Sequence, residues 1–264
     1  MASTYSGIGG WVYAPWRGVF YPDKLPQARE LEYASRQVTA IEINGTFYGT
    51  QKPSSFRKWH DETPDGFVFA LKGPRYATHR RALGEAAESV ERFVGSGILE
   101  LKAKLGPILW QLMGSARFDP DNIEAFLKLL PHEAGGRQLR HVLEVGHESF
   151  NDPKFVALLR QYKVAVAMVE DEGNPLIQDA TADFMYARLK RAEAERKTGY
   201  PPKAIDAWAA RARTWNAGGE PDDIVRIDGK AGPKQKRDCF IFFISGAKER
   251  NPAAAMELVK RMKE

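Results

Sequence analysis

Eight short β-like hydrophobic runs alternate along the chain with longer stretches of helical patterning, and this alternation sharply limits the folds available to it. The predicted strands cover residues 8–13, 38–43, 67–72, 107–112, 139–145, 164–169, 184–189 and 240–245. The helical stretches cover residues 25–35, 54–61, 83–104, 120–130, 153–162, 203–216 and 252–263, with a short one near Pro175. Since each crossover between parallel strands needs a covering segment, the order predicts a parallel sheet with helices packed on it.

A chain of 264 residues has the length of one closed (β/α)8 barrel, which typically takes about 250 residues. The runs at 164–169 and 240–244 are apolar on both faces, as buried parallel strands are. No dinucleotide-binding glycine motif follows a strand. We therefore predict a single α/β domain over residues 1–264, a TIM-barrel-like closed parallel barrel, with an insertion or excursion around residues 191–238 that is rich in glycine, proline and charge.

Cysteine usage and hydropathy place limits on compartment and partners. The single cysteine, Cys239, excludes an internal disulfide and any multi-cysteine metal site. No apolar run approaches the roughly 20 residues that span a bilayer, and the first ten residues lack the features of a secretory signal. We expect a cytoplasmic protein with no membrane partner, and the composition leaves the oligomeric state open.

Positive charge is concentrated in one region of the chain. Lys and Arg exceed Asp and Glu by 39 to 34, yet residues 188–237 alone carry 13 basic and 7 acidic residues. Such a segment could attract a phosphate-bearing partner or a nucleic acid. The alternative is a solvated helix face.

Polar side chains stand where the predicted strands end, which is where a (β/α)8 barrel carries its chemistry. They are Glu42, Asn44, Lys72, His79, Gln111, Glu144, His147, Asp171 and Arg188. Because an unpaired charge inside a barrel is costly, these groups must either pair with one another or face a ligand. One alternative is a ring of paired charges, for example Glu42 or Glu144 with Lys72 or Arg188. The other is a binding or catalytic site.

If the residues form a site, their chemistry favours an anionic, phosphate-containing ligand held by Lys72 and Arg188. Glu42, Glu144 and His147 are then the catalytic candidates, and hydrolysis of a phosphorylated or sugar-phosphate substrate is the first reaction class to test. The remaining candidate ligand-binding residues are Tyr13, Asn44, Tyr48, His79, Gln111 and Asp171. No organic cofactor motif is evident, and a divalent metal is possible but not favoured, since no paired-histidine spacing occurs. A non-catalytic nucleic-acid-binding protein and a degenerate, inactive barrel stay open as alternatives.

Three motifs resemble those of the YecE-like family, also called domain of unknown function 72 (DUF 72). They are GWVYAPWRGVFYP at residues 10–22, EINGTFY at 42–48 and TPDGF at 63–67. Further matches follow in order around residues 72–79, 105–111, 144–147 and 181–188, so that the similarity covers nearly the whole chain. The resemblance implies a TIM-barrel-like fold and does not imply an established activity.

The chain departs from the family pattern at positions that the fold would place near one end of the barrel. Gly146 stands where an Arg is usual, and Phe150 where a Trp is usual. The seventh strand is followed by Lys190 and Arg191 instead of His-Gly, and residues 244–246 read Ile-Ser-Gly instead of Asn-Asn-Asp. We therefore expect a divergent member that has either a different ligand or no activity.

Overall fold

Eight parallel strands close into a barrel in the computed structural model, which describes residues 2–264. The strands are β1 (Thr4–Gly9), β2 (Ala40–Ile43), β3 (Val68–Lys72), β4 (Leu105–Gln111), β5 (His141–Glu144), β6 (Ala165–Glu170), β7 (Phe184–Leu189) and β8 (Asp238–Phe243). Each strand pairs with the next in chain order, and β8 closes the ring on β1. The predicted (β/α)8 architecture is confirmed.

Helices pack around this barrel. They are α1 (Glu30–Gln37), α2 (Pro53–Glu62), α3 (Ala87–Val94), α4 (Pro120–Leu127), α5 (Pro153–Gln161), α6 (Pro202–Ala217) and α7 (Asn251–Lys263). Four-residue helices cover Gly45–Tyr48 and Arg75–Thr78, and 3-10 turns cover Ala14–Trp16, Gln27–Arg29, Leu83–Ala86, Ile98–Lys104, Glu148–Phe150 and Lys248–Arg250. A two-residue antiparallel ladder joins Glu133–Ala134 to Arg137–Gln138. Side-chain caps fix two helix starts, since Asp119 begins α4 and Asp152 begins α5 by accepting backbone N–H bonds.

Alternate strand residues fill the barrel interior. The interior cluster includes Ala40, Val68, Ala70, Leu109, Val142, Ala165, Ala167, Val169, Phe184, Tyr186, Phe240 and Phe242. The β1 positions that face inward include Gly7, where a Cβ atom would lie 2.2 Å from the Ala40 carbonyl oxygen. The barrel is therefore packed solid below its carboxyl end, as the fold requires.

The first and last strands, which pair to close the barrel, both lie slightly earlier in the chain than predicted. The first strand covers Thr4–Gly9 instead of residues 8–13, and the last covers Asp238–Phe243 instead of 240–245. The two form one ladder from Thr4 opposite Cys239 to Ile8 opposite Phe243. Each is followed by a left-handed residue, Gly10 or Ser245, which turns the chain out of the ladder. Because aromatic residues continue past Gly10, periodicity alone placed the strand too late.

The predicted short helix near Pro175 is absent, and that prediction is wrong. Residues 171–183 connect β6 to β7 without a helix. Segment 218–237, the irregular part of the predicted excursion, packs against this connection. Val225 N donates to Gln178 Oε1 at 3.2 Å, and Ile227 N donates to Asp179 Oδ2 at 3.0 Å. Backbone contacts from a distant segment thus cover the sector where a helix was expected.

No helix within residues 2–264 combines the length and the apolar character needed to cross a bilayer.

Candidate functional site

Charged and amide side chains form the top interior layer of the barrel. Glu42, Lys72, Gln111, Glu144 and Arg188 each stand two residues after an interior residue of the same strand. Because strand side chains alternate between faces, all five point into the carboxyl end of the barrel. The strand ends thus bring together residues separated by up to 146 positions in sequence.

Arg188 lies between the two carboxylates. Its Nε and Nη2 atoms donate to Glu42 Oε2 and Oε1 at 3.0 and 2.9 Å, and its Nη1 donates to Glu144 Oε2. All three side chains are buried, Glu42 completely so. Two bonds to one carboxylate and one to the other give the planar guanidinium the paired geometry in which it binds carboxylates best.

Neighbouring groups complete this paired cluster. Tyr186 donates to Glu42 Oε2 at 2.7 Å, Gln111 Nε2 donates to Glu144 Oε1 at 2.7 Å, and Lys190 Nζ lies 3.4 Å from the same Glu144 oxygen. Burial alone would raise the pKa of Glu144, but the charges of Arg188 and Lys190 outweigh it and hold that pKa below its ordinary value. Burial, followed by the Glu42 charge, raises the pKa of Tyr186.

The sequence analysis left open that the charged residues simply pair with one another, and this is true of Glu42, Glu144 and Arg188. Both carboxylates pair with Arg188, as one version of that alternative expected, and Lys72 pairs with neither of them. The catalytic roles predicted for Glu42 and Glu144 stay predictions. Each carboxylate already accepts three bonds from the cluster, and the charge of Arg188 that pairs with both makes them weaker bases.

A cavity of about 290 Å³ opens above this cluster, and we call it the mouth cavity. Its lining residues are Gly9, Asn44, Lys72, Gln111, Arg188, Lys190, Ile244, Ser245, Lys248 and Asn251. Four of them are cationic and none is acidic, because Glu42 and Glu144 lie below the lining. The cavity wall therefore presents positive charge together with amide and hydroxyl groups.

Lys72 is the most buried lysine of the cavity wall, with only 7% of its surface exposed. Its ammonium group lies 4.0 Å from the centre of the Phe47 ring. Within residues 2–264 its Nζ has no carboxylate partner within 4.0 Å and no hydrogen-bond acceptor. Burial, and then the neighbouring Arg188 charge, lowers the pKa of Lys72 to about 8.

The loop after β8 supplies two more groups to the cavity. Lys248 Nζ lies 4.4 Å from the centre of the Tyr13 ring, and burial lowers its pKa. Asn251, at the first position of α7, is 1% exposed and donates from Nδ2 to Ser245 O at 3.1 Å. Its Oδ1 atom is buried without a hydrogen-bond partner among the described residues. A buried acceptor of this kind usually receives a hydrogen bond from an ordered water or from another polar group.

Three predicted ligand-binding residues lie around the cavity without lining it. The Tyr13 ring lies against Lys248, which does line the cavity. His79 and Tyr48 both pack against Phe47, with ring centres 5.2 and 5.1 Å away, and Tyr48 is 67% exposed. Burial, and then the Lys72 charge, lowers the pKa of His79.

Two other candidates take positions at the rim. His147 begins the 3-10 turn Glu148–Phe150, where its Nδ1 accepts from Ser149 N at 3.1 Å. Asp171 is exposed, and its Oδ2 lies 3.7 Å from Lys190 Nζ. Neither residue lines the mouth cavity, and the roles predicted for them stay predictions.

Sequence reasoning missed Lys190, Lys248 and Asn251 as site residues. In barrels of this class the loops after strands 7 and 8 frequently bind phosphate, and that rule could have found all three. The sequence identifies Lys190 only as a departure from the family pattern. Among residues 2–264 no group of three or more His, Cys, Asp or Glu side chains is arranged to hold a metal ion.

The profile of a family described as "Protein of unknown function DUF72" matches residues 5–264. The chain is 29% identical to the UPF0759 protein YecE of Escherichia coli K12 over 141 residues, which is 52% of this chain and 48% of that protein. It is 26% identical to the UPF0759 protein YunF of Bacillus subtilis over 174 residues, 64% of this chain and 57% of that one. The matches thus span about half the length of these curated relatives.

A solved structure agrees with the fold over the full length. The crystal structure of TM1631, a DUF72 family protein of Thermotoga maritima, superposes with a TM-score of 0.75 at 21% identity, covering 99% of this chain and 100% of that one. At this identity the similarity supports the barrel fold alone.

Proposed function

This chain belongs to the DUF72 family of proteins of unknown function, and we propose that its mouth cavity binds a small phosphorylated ligand. The observation that carries the proposal is the charge of the cavity wall, which has four cationic side chains and no carboxylate.

The pairing pattern determines which of these charges are available to a ligand. Glu42 and Glu144 neutralise Arg188, and Lys190 shares Glu144. Lys72 and Lys248 have no carboxylate within 4.0 Å among the described residues. An anion near the β7 and β8 loops would contact Lys248 and also Lys190, whose contacts with Glu144 and Asp171, at 3.4 and 3.7 Å, are longer than the bonds that neutralise Arg188.

Phosphate fits the position of the cavity as well as its charge. Lys190 follows β7, and Lys248 and Asn251 follow β8, which is where barrels of this class commonly bind phosphate. A volume of about 290 Å³ is at the small end of ligand pockets. These features favour a small monoester with a phosphate group near the β7 and β8 loops and a hydroxyl or amine that donates to Asn251 Oδ1.

Calorimetric titration tests the proposal. Glycerol 3-phosphate and inorganic phosphate should bind, and glycerol should not. Lys248→Met and Lys190→Met should each weaken phosphate binding about tenfold, equivalent to about 1.4 kcal/mol. Lys154→Met, at an exposed lysine on α5, is the matched control and should bind like the wild type. Equal affinity in all four proteins, or no binding of either phosphate compound at millimolar concentration, would overturn the proposal.

Hydrolysis of the ligand receives less support than binding. A hydrolase needs an acid or base at the bond that breaks. Glu42 and Glu144 lie below the cavity lining in bonds to Arg188, and His147 does not line the cavity. Hydrolysis thus stays a prediction, to be tested by phosphate release from the ligands that bind.

Nucleic-acid binding through the basic segment 188–237 also receives less support. Several of its arginines are already paired with carboxylates, in the pairs Arg191–Glu172, Arg196–Glu193, Arg211–Asp223, Arg226–Glu220 and Arg237–Glu220. Backbone-driven binding to a nucleic acid weakens steeply as salt rises, whereas a small-ligand site responds much less. Anisotropy titrations with DNA and RNA at several salt concentrations separate the two functions.

A further inference from the structure

Lys72 is placed differently from the other cations of the mouth cavity. Lys190 has Glu144 as a partner, with Nζ and Oε1 3.4 Å apart. Lys248 belongs to a loop and lies over the rings of Tyr13 and Trp16. Lys72 is the last residue of strand β3 and is held within the barrel wall without a carboxylate partner among residues 2–264.

The backbone around Lys72 fixes the start of its side chain. Thr46 Oγ1 donates to the Lys72 carbonyl oxygen at 2.7 Å, and Gly73 N donates to Leu109 O at 2.8 Å. The four-residue helix that carries Thr46 also presents Phe47, whose ring lies under the ammonium group. A side chain held in this way aims one nitrogen into a cavity whose other cations can hold a phosphate group.

We propose that Lys72 is a nucleophile that forms an imine with the carbonyl carbon of a small phosphorylated aldehyde or ketone bound in the mouth cavity. This inference rests on the proposed function, because Lys190 and Lys248 bind the phosphate group of the same ligand. It adds a covalent step to the proposed function and requires that the ligand carry a carbonyl group as well as a phosphate group.

The step balances without a cofactor or a further reactant. The neutral Nζ attacks the carbonyl carbon, the carbon–oxygen π bond opens, and the oxygen takes up a proton to give a carbinolamine. Loss of that oxygen as water then forms the C=N bond. Summed over the sequence, one lysine ammonium and one carbonyl compound give one protonated imine and one water.

The surroundings of Lys72 favour its neutral, reactive form. Lysine nucleophiles are activated by desolvation and by a neighbouring cation, and Lys72 has both in its buried position and in Arg188. With its pKa at about 8, the neutral fraction of Lys72 at pH 7 is about two orders of magnitude larger than that of an ordinary lysine. For Lys248, only burial lowers the pKa, and no cation contributes.

Reductive trapping with glycolaldehyde phosphate tests the proposal. The intact protein is incubated with this aldehyde for timed intervals, sodium borohydride is then added to reduce any imine that has formed, and the modified lysines are identified by peptide mass spectrometry. Lys72 should be modified about tenfold faster than Lys154, which is exposed and serves as the internal reference. Its rate should level off above about pH 8, whereas the rate at Lys154 should continue to rise.

Variants and a second aldehyde complete the experiment. Lys72→Met should abolish the fast phase, with circular dichroism to verify folding, and Lys154→Met should keep it. Glycolaldehyde without phosphate should modify Lys72 about tenfold more slowly.

Labelling spread over exposed lysines with no preference for Lys72 would overturn the imine proposal. If inorganic phosphate binds while Lys72 stays unmodified, the imine is wrong and the proposed function stands. If neither occurs, both are wrong.

Discussion

Arg188 on β7 donates two hydrogen bonds to Glu42 on β2, across the interior of the barrel. The two strands are not neighbours in the ring, since β8 and β1 lie between them. The contact ties the two sides of the carboxyl end together, and Glu144 on β5 adds a third anchoring point. In the sequence these residues look like independent acid and base candidates. In the structure each depends on the others for its position and its counter-ion.

Replacing Arg188 should destabilise the protein strongly. Arg188→Met leaves Glu42 and Glu144 buried without their main counter-ion, and breaking a buried pair from one side costs about 3–5 kcal/mol. Tyr186→Phe removes one bond to Glu42 and should cost only about 1 kcal/mol. Urea denaturation of the two variants measures both effects. If both lose equally little, the cluster does not stabilise the barrel.

Acid should destabilise the protein through His141. Trp110 Nε1 donates to His141 Nδ1 at 3.0 Å, so the ring proton is on Nε2, 2.8 Å from Pro131 O. Burial lowers the pKa of His141 from 6.5 to about 4. Between these two pH values the unfolded chain binds more protons than the folded one, so the free energy of unfolding should fall with falling pH, by up to about 3 kcal/mol.

Urea unfolding at pH 7, 5 and 4 measures this dependence. Other groups also titrate in the range, so the informative quantity is the difference between the wild type and His141→Gln, which has no proton to take up. The free energy of unfolding of the wild type, minus that of His141→Gln, should therefore decrease as the pH falls. Parallel profiles would mean that His141 is not the acid-sensitive group.

Two glycines near the end of β1 should respond to substitution for different reasons. A Cβ atom at Gly7 would lie 2.2 Å from the Ala40 carbonyl oxygen, so Gly7→Ala forces a backbone shift and should cost about 2–3 kcal/mol. Gly10 has a φ of +72° with nothing within 4 Å of a new Cβ. Gly10→Ala therefore meets only conformational strain, about 1–2 kcal/mol. Thermal unfolding compares the two, and a more damaging Gly10 variant would contradict the packing argument.

A negative charge at Asn251 should weaken phosphate binding. Asn251→Asp replaces an amide of the cavity wall with a carboxylate, and repulsion should lower the affinity for inorganic phosphate at least about tenfold. Asn216→Asp makes the same chemical change on α6, where Asn216 contacts Arg237 O far from the cavity, and should leave the affinity unchanged. Calorimetric titration of both gives the answer. Unaltered affinity in the Asn251 variant would place the phosphate elsewhere.

The strand-and-helix alternation was sufficient to predict the barrel because every parallel crossover leaves the same hydrophobic signature. It failed at β1, where Trp11 and Tyr13 continue an apolar pattern past the turn at Gly10. It also failed near Pro175, where backbone bonds from segment 218–237 take the place of a helix. Contacts between segments so distant in sequence leave no local pattern to detect.

For the candidate site, the sequence predicted which residues converge but not how they pair. Because each lies at the end of a strand, the sequence was enough to predict that Glu42, Lys72, Glu144 and Arg188 lie close together. Whether Arg188 or Lys72 neutralises the carboxylates depends on side-chain reach across the barrel, which spacing in sequence does not encode. Lys248 was missed because no motif or strand end singles it out in the sequence, and only the path of the loop after β8 brings it to the cavity.

The cover that segment 218–237 provides for the β6–β7 connection affects the order in which the protein can be completed during synthesis. The barrel sector around β6 and β7 emerges from the ribosome about fifty residues before the segment that covers it. Gln178 and Asp179 can accept their hydrogen bonds only after Val225 and Ile227 have been synthesised. Until then that sector is a natural target for proteases and chaperones. A chain interrupted before residue 218 would carry seven strands and a permanently uncovered flank.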